Sequence, residues 1–220
     1  MLKRWFNNYF KPQTIREYRS DHNGLIQVVM AFNKPRLIMG GMLQSGDLMK
    51  KAWNKALTKL VEKNKKVEQT LIIGLGCGDC AFEIQKLYPK ALMTGVEIDN
   101  QVVEAAQCYF SLATVKNLKI AIDDGAKYVA KLAKEKKTSK FDLVIVDTYI
   151  GDKIPQVFTS KTFLSNLTKI LNHDGVVIFN RLFAKKNKPT VELFIKQAEK
   201  VFGKITLVRT TSNLLVFGWY

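Results

Sequence analysis

The chain has 220 residues, 47% of them hydrophobic and 25% charged, which is ordinary for one globular domain with a sizeable core. No apolar run approaches the ~20 residues of a membrane helix, and three cysteines do not make a disulfide framework. We therefore expect a cytoplasmic protein without a membrane partner. The 35 basic residues against 19 acidic ones give a net charge of +16, which favours anionic partners such as nucleic acid.

The first 45 residues predict a small β-rich segment. Apolar runs at 24–32 and 36–41 flank the turn "NKPR" and form a β-hairpin pattern. The stretch 46–64 then alternates apolar and charged residues with the period of a long helix. We place a boundary between a segment 1–45 and a larger domain 46–220.

From residue 70 onward, short apolar runs alternate with longer amphipathic stretches. The predicted strands are 70–75, 91–98, 118–123, 141–147, 175–180, 205–210 and 213–220, and the predicted helices are 80–89, 99–112, 125–137, 161–172 and 190–202. This order is typical of an α/β fold with a doubly wound, Rossmann-like sheet of seven strands, which ends in an antiparallel hairpin. In such sheets, ligands bind at the carboxyl ends of the parallel strands.

A glycine-rich loop follows the first of these strands. Gly74, Gly76 and Gly78 lie between a strand and a helix, where glycines let the backbone turn tightly and approach a ligand. Their spacing is G-x-G-x-G and therefore differs from the dinucleotide pattern G-x-G-x-x-G. On its own the loop is equally typical of a tight strand-to-helix turn.

Acidic residues end the next three predicted strands. Glu97 is placed to accept the hydroxyls of a ribose, and Asp124 to accept an adenine amine or to cap the following helix together with Asp123. Asp147 ends the apolar strand "FDLVIVD" and should be partly desolvated, which raises a carboxyl pKa and favours proton transfer.

The glycine loop and these acids, in this order, resemble the S-adenosylmethionine-dependent methyltransferase fold. The stretches "LIIGLGCGDCAFEI", "VEIDNQVVEAAQCYF", "DDGAKYV" and "FDLVIVDTYIGDKIP" resemble the spermidine synthase family, in particular the spermidine-synthase-like branch with D-x-[YF]-x-G-D-x-I-P. The resemblance covers roughly residues 20–220. It implies S-adenosylmethionine or its decarboxylated form as co-substrate, a small-molecule acceptor such as an amine, aminopropyl transfer, a catalytic domain over 46–220, and a homodimer.

The resemblance also implies roles for individual residues. Asp147 would be the catalytic base, with Tyr149 beside it. The residues implied to hold the donor are Gln44, Gly74, Gly76, Gly78, Asp79, Glu97, Ile98, Asp123, Asp124, Gly125 and Asp147. The chain departs from the family at Cys77, where the family has an aspartate for the aminopropyl ammonium, and at Met49 and Lys50, where it has acidic residues for the polyamine.

Two further functions remain open. One is a methyltransferase that uses S-adenosylmethionine on an anionic or RNA acceptor, although no N-P-P-Y or D-P-P-Y tetrad follows the fourth strand and no aromatic residues interleave the basic runs. The other is a non-catalytic nucleoside-binding scaffold. We expect no metal, since Cys77 and Cys80 with His22 and His173 do not complete a zinc site, and we expect both histidines to be structural.

Overall fold

The computed structural model of the chain describes residues 12–135 and 140–220. Its strands are β1 (Gln13–Ser20), β2 (Gly24–Ala31), β3 (Lys34–Met39), β4 (Met42–Leu43), β5 (Gln69–Ile73), β6 (Leu92–Glu97), β7 (Leu118–Ile122), β8 (Phe141–Val146), β9 (Leu171–Leu182), β10 (Lys204–Arg209) and β11 (Asn213–Trp219). Its α-helices are α1 (Asp47–Glu62), α2 (Asp79–Leu87), α3 (Asn100–Tyr109), α4 (Gly125–Leu132), α5 (Lys161–Ile170) and α6 (Lys188–Ala198). Among the described helices, none is long and apolar enough to span a membrane.

The larger sheet has seven strands in the order β10-β11-β9-β8-β5-β6-β7. Strands β5 to β9 run parallel, and β10 and β11 form the antiparallel edge. This confirms the predicted doubly wound α/β fold. The chain passes outward from β5 to β6 and β7 and then returns to place β8 on the other side of β5, so the topological switch lies between β5 and β8.

The N-terminal sheet is antiparallel, with the order β1-β2-β3-β4. The predicted hairpin corresponds to β2 and β3, and the structure adds β1 and β4 on either side. Its apolar face packs Ile26 and Leu37 against Cys77 and against Val102 of α3. This contact holds the small sheet over one end of the larger one, and the division of the chain at residue 45 stays a prediction.

Helices cover both faces of the seven-stranded sheet. On one face, Trp53 and Leu57 of α1 pack with Ile84 of α2 against the sheet. On the other face, Leu167 of α5 and Phe194 of α6 are buried in a second cluster. The sheet is therefore shielded on both faces, which leaves the carboxyl ends of its strands as the place for a ligand.

All six predicted helices end two to five residues earlier in the structure, and two of these ends have a clear physical reason. α4 ends at Leu132 instead of 137, because Lys134 and Glu135, which follow Ala133, are polar and offer no apolar face to pack; residues 136–137 of the predicted helix lie outside the described residues. α5 ends at Ile170, because Leu171 already pairs with Phe141 at the start of β9.

Candidate functional site

A cavity lies at the carboxyl ends of β5, β6, β7 and β8. It offers about 260 Å³ to the centre of a water molecule, and the β1–β2 turn, β3 and α1 contribute its other walls. Of the twelve residues predicted to form the site, all except Gly78 line it: Gln44, Gly74, Gly76, Asp79, Glu97, Ile98, Asp123, Asp124, Gly125, Asp147 and Tyr149. Residues as distant in the chain as Gln44 and Tyr149 therefore meet at one cavity.

The three glycines of the loop have three different structural roles. Gly74 has φ +81°, and a Cβ there would lie 2.2 Å from the backbone oxygen of Asp147, so only glycine lets β5 and β8 approach at the switch point. Gly76, at φ +55°, donates its N–H to Glu97 Oε2 over 2.9 Å. Gly78 is outside the cavity; it precedes α2 at φ +83°, and a Cβ would lie 2.4 Å from Leu112. Turn geometry and packing thus explain why residue 78 is a glycine.

Glu97 is buried at the end of β6 and is held by backbone donors. Its Oε1 accepts the N–H groups of Ile98 (2.9 Å) and Asp99 (3.2 Å), while Oε2 accepts that of Gly76. Burial raises the pKa of Glu97, and these three hydrogen bonds oppose the increase. A carboxylate offers about four acceptor positions, so one, on Oε2, remains for a ligand hydroxyl.

Asp124 uses its Oδ1 to cap a helix, and its Oδ2 makes no hydrogen bond within the described residues. Its Oδ1 caps α4 by accepting the N–H groups of Ala126 (2.8 Å) and Lys127 (3.0 Å). Asp123 in turn accepts the N–H of Asp124 over 2.7 Å. Helix capping and ligand binding by Asp124 are compatible, because they draw on different oxygens.

Asp147 follows β8 and lines the cavity, where it is partly exposed. Burial raises its pKa from 3.8 to about 6, against the opposing effects of a hydrogen bond from Asn180, the charge of Arg181 and a hydrogen bond from the Trp53 side chain. The Asn180 Nδ2 donor lies 2.8 Å from Asp147 Oδ1. A carboxyl group with this pKa is largely ionised at neutral pH and can still accept a proton, as a general base requires.

The Tyr149 hydroxyl is engaged with the backbone of β9. It donates to the carbonyl oxygen of Asn180 (3.1 Å) and accepts the N–H of Leu182 (2.6 Å). Burial, together with the charge of Asp147, raises its pKa. These contacts favour a positioning role for Tyr149 along the segment that follows β8, and its predicted catalytic role stays a prediction.

Asp79 opens α2 and meets the start of α1. Its Oδ2 accepts the N–H of Gly46 over 3.0 Å, and its Oδ1 lies 3.8 Å from Lys50 Nζ. Burial raises the pKa of Asp79, and the Gly46 N–H and the Lys50 ammonium oppose this. Next to it, burial raises the pKa of the Cys77 thiol well above its ordinary value, which keeps Cys77 neutral.

Several cavity residues were missed by the sequence reasoning. His22 was expected to be structural, yet it lines the cavity with Asn23 from the β1–β2 turn. Met49 and Trp53 contribute from one face of α1, and their i, i+4 spacing was the signal that could have found them. Thr148 lines the cavity with a buried hydroxyl that makes no hydrogen bond within the described residues.

The cysteine pair does not form an exposed reactive motif. Cys77 and Cys80 are both buried, and burial raises the pKa of each thiol well above its ordinary value. Within residues 12–135 and 140–220, no three His, Cys, Asp or Glu side chains are arranged to hold a metal ion.

Comparison with known proteins identifies relatives of two kinds. The polyamine aminopropyltransferase of Vibrio vulnificus is 32% identical over 123 residues, which cover 56% of this chain and 40% of that protein. The eEF1A lysine and N-terminal methyltransferase of Bos taurus is 30% identical over 116 residues, or 50% of this chain and 17% of that protein. The chain thus spans less than half the length of these relatives.

The fold has a solved counterpart. The spermidine synthase of Thermotoga maritima superposes with a TM-score of 0.75 at 20% identity, over 94% of this chain and 72% of that one. The family model described as the spermine/spermidine synthase domain matches residues 51–216. That match begins within α1 and ends within β11, so it contains β5 to β10 and the strand-end residues of the cavity. The chain therefore belongs to the spermine/spermidine synthase domain family.

Proposed function

We propose that the protein is a transferase that binds an S-adenosyl sulfonium donor and passes an alkyl group from its sulfur to a neutral amine. The observation that carries this proposal is Asp147, a carboxylate with a pKa near 6 at the topological switch of a cavity that also contains Glu97 and Asp124. Membership of a family that includes aminopropyltransferases makes aminopropyl transfer the first candidate reaction.

The cavity residues suit such a donor. The free acceptor position of Glu97 is available to a ribose hydroxyl, and the free Oδ2 of Asp124 to an adenine amine. These two residues end adjacent strands, β6 and β7, so the nucleoside would lie along the strand ends with its sulfur toward the glycine loop and Asp147. Gln44 would close the site from the N-terminal sheet.

The transfer itself needs little from the protein beyond positioning and one base. The lone pair of the amine attacks a carbon bound to the sulfonium, the carbon–sulfur bond breaks, and its electron pair stays on sulfur to give a neutral thioether. The amine becomes an ammonium and passes its extra proton to the Asp147 carboxylate. Because the leaving group is already activated, orientation supplies most of the remaining acceleration.

The acceptor end of the cavity does not favour a polycation. Lys50 stands near Asp79, and Asp152 lies outside the cavity in an ion pair with Lys186 at 2.7 Å. Exposed apolar side chains, Ile150 and Val157, line the outer wall instead. We therefore propose an acceptor with a single amine group beside an apolar portion.

Methyl transfer from S-adenosylmethionine is the second candidate, supported by the methyltransferase relatives and by the cation beside Asp79. The scaffold alternative predicts binding without turnover. Homodimer formation and a cytoplasmic location stay predictions, and the +16 charge keeps an anionic or RNA acceptor in the methyl-transfer alternative.

The test is turnover with each donor in turn and a panel of primary amines that includes putrescine, benzylamine and short lysine peptides. Chromatography of the nucleoside product distinguishes the two reactions. Aminopropyl transfer releases methylthioadenosine, and methyl transfer releases S-adenosylhomocysteine. Asp147→Asn is the control and should bind the donor within a few-fold of wild type without turnover. Donor binding with no product from any amine would favour the scaffold, and undiminished turnover by Asp147→Asn would remove Asp147 from the mechanism.

A further inference from the structure

One end of the cavity is lined by an anion whose cationic partner stands beside the lining. Asp79 lines the cavity, and the Lys50 ammonium lies 3.8 Å from its Oδ1. The nearby acids are already neutralised: Glu83 and Asp47 each form an ion pair with a lysine of their own, at 2.6 and 2.9 Å. Lys50 is thus the cation that Asp79 meets at this end of the cavity.

The position of this pair matches the far end of the proposed donor. Along the sheet, Asp124 ends β7, Glu97 ends β6, and the glycine loop follows β5, with Asp79 at the start of α2 directly after that loop. A donor with its adenine at β7 and its ribose at β6 directs the chain beyond its sulfur toward β5. The amino-acid tail of the donor therefore reaches Asp79 and Lys50.

We propose that the site selects a donor with an α-amino acid tail, S-adenosylmethionine itself, over the decarboxylated form. The tail ammonium would lie beside Asp79 and the tail carboxylate beside Lys50 Nζ, and both groups are carried by one carbon, which suits a cation and an anion 3.8 Å apart. This inference rests on the proposed function and names its donor. The decarboxylated donor would bring its ammonium to Asp79, which is already paired with Lys50, without a carboxylate of its own for the lysine.

Two neighbouring features also favour S-adenosylmethionine over the decarboxylated donor. Cys77 is a buried, neutral thiol and adds no carboxylate for a lone tail ammonium. α2 begins at Asp79 without a side-chain cap, so the positive end of the helix dipole and the N–H groups of its first turn favour a ligand carboxylate at this point.

The choice of donor restricts the reaction. Attack of the amine on the methyl carbon breaks the methyl–sulfur bond and yields a methylated amine and S-adenosylhomocysteine. Attack on the γ-carbon of the tail breaks the other carbon–sulfur bond and yields a 3-amino-3-carboxypropyl amine and methylthioadenosine. In both cases the bonding pair stays on sulfur, and the proton of the amine goes to Asp147. With this donor, the transferred group is methyl or 3-amino-3-carboxypropyl, in place of the aminopropyl group that the family relationship puts first.

The experiment is calorimetric titration of the full chain with S-adenosylmethionine and with its decarboxylated form. Two unit charges about 4 Å apart at a partly exposed site alter affinity by about tenfold or more, so the wild type should prefer S-adenosylmethionine by at least that ratio. Lys50→Glu should abolish or reverse the preference. Lys51→Glu is the matched control, since it makes the same charge change at the next, exposed position of α1 and should keep the wild-type ratio.

Each outcome decides a different point. Tighter or equal binding of the decarboxylated donor by the wild type overturns the inference and leaves the proposed function intact. Failure of both donors to bind overturns the proposed function as well. A wild-type ratio retained in Lys50→Glu shows that Lys50 does not select the donor, which also overturns the inference. Lys50→Met keeps the aliphatic stem and gives the same comparison should the glutamate variant fail to fold.

Discussion

Replacing Asp147 with asparagine should stabilise the protein at neutral pH while it removes turnover. Asp147 is partly exposed to the cavity, and its pKa lies near 6 in the folded chain against 3.8 in the unfolded one. Folding therefore favours the protonated form, and this contribution to stability is complete below pH 3.8 and is lost as the pH rises through about 6. Above that range the ionised Asp147 carboxylate destabilises the folded chain relative to the protonated form.

The size of the effect follows from the two pKa values. At 1.36 kcal/mol for each pKa unit, the move from 3.8 to about 6 corresponds to about 3 kcal/mol that the wild type loses between acid and neutral pH. The side-chain oxygen of asparagine can still accept the hydrogen bond from Asn180. Asparagine has no second oxygen, so the contribution of the Trp53 side chain is lost. A lost hydrogen bond costs about 1 kcal/mol, so the net stabilisation at pH 7.5 should be about 2 kcal/mol.

The assay is urea unfolding of wild type and variant from pH 4 to pH 7.5. The stability difference should move in favour of Asp147→Asn as the pH rises. Asp142 at the other end of β8 supplies a control of opposite sign. Although burial alone would raise the pKa of Asp142, the N–H groups of Gln69 and Glu68 and the Asn172 side chain bring it below its ordinary value. Asp142→Asn should therefore lose stability relative to wild type as the pH rises. A difference for Asp147→Asn that does not change with pH would refute the reasoning.

Three other substitutions test the geometry of the cavity. Gly74→Ala should cost at least 3 kcal/mol in urea unfolding, because its Cβ meets a backbone oxygen, whereas Gly76→Ala, with positive φ but open space, should cost about 1 kcal/mol; equal costs would contradict the close approach of β5 and β8. Glu97→Gln should weaken S-adenosylmethionine binding by about tenfold or more in calorimetry, since an amide N–H then confronts a backbone N–H. Thr148→Val should leave the free energy of unfolding within about 0.5 kcal/mol, and a loss above 1 kcal/mol would mean that its hydroxyl has a partner.

The strand-end part of the site was predictable because it depends on local patterns. Apolar runs that stop at Glu97 and Asp147 identify strand ends, and parallel strands bring those ends to one edge of a sheet. Hydrogen bonds cannot be assigned from apolar runs alone. Only the structure shows that Glu97 accepts three backbone N–H groups and that residue 78 must be glycine to pack against Leu112.

The walls contributed by the N-terminal sheet and α1 were harder to predict. Their placement over the cavity depends on contacts between distant segments, such as Asn23 Nδ2 with Asp99 at 2.7 Å and Gly46 N–H with Asp79 at 3.0 Å. Periodicity predicts that a helix or hairpin forms but not where it docks, which is why His22 was assigned to a structural turn.

The pKa of Asp147 depends on two neighbouring residues of β9 that lie on opposite faces of the sheet. Asn180 donates to its carboxylate, while Arg181 is buried on the other face with its guanidinium 3.9 Å from the ring centre of Phe194. Burial lowers the pKa of Arg181 to about 10, and two of its nitrogens make no hydrogen bond within the described residues. Such an arginine is costly to the fold, yet its charge counteracts the effect of burial on Asp147. Without that charge, the carboxyl would titrate at a higher pH and would be less available as a base at pH 7. Burial of Arg181 is therefore better explained by the proposed role of Asp147 as a base than by a contribution to stability.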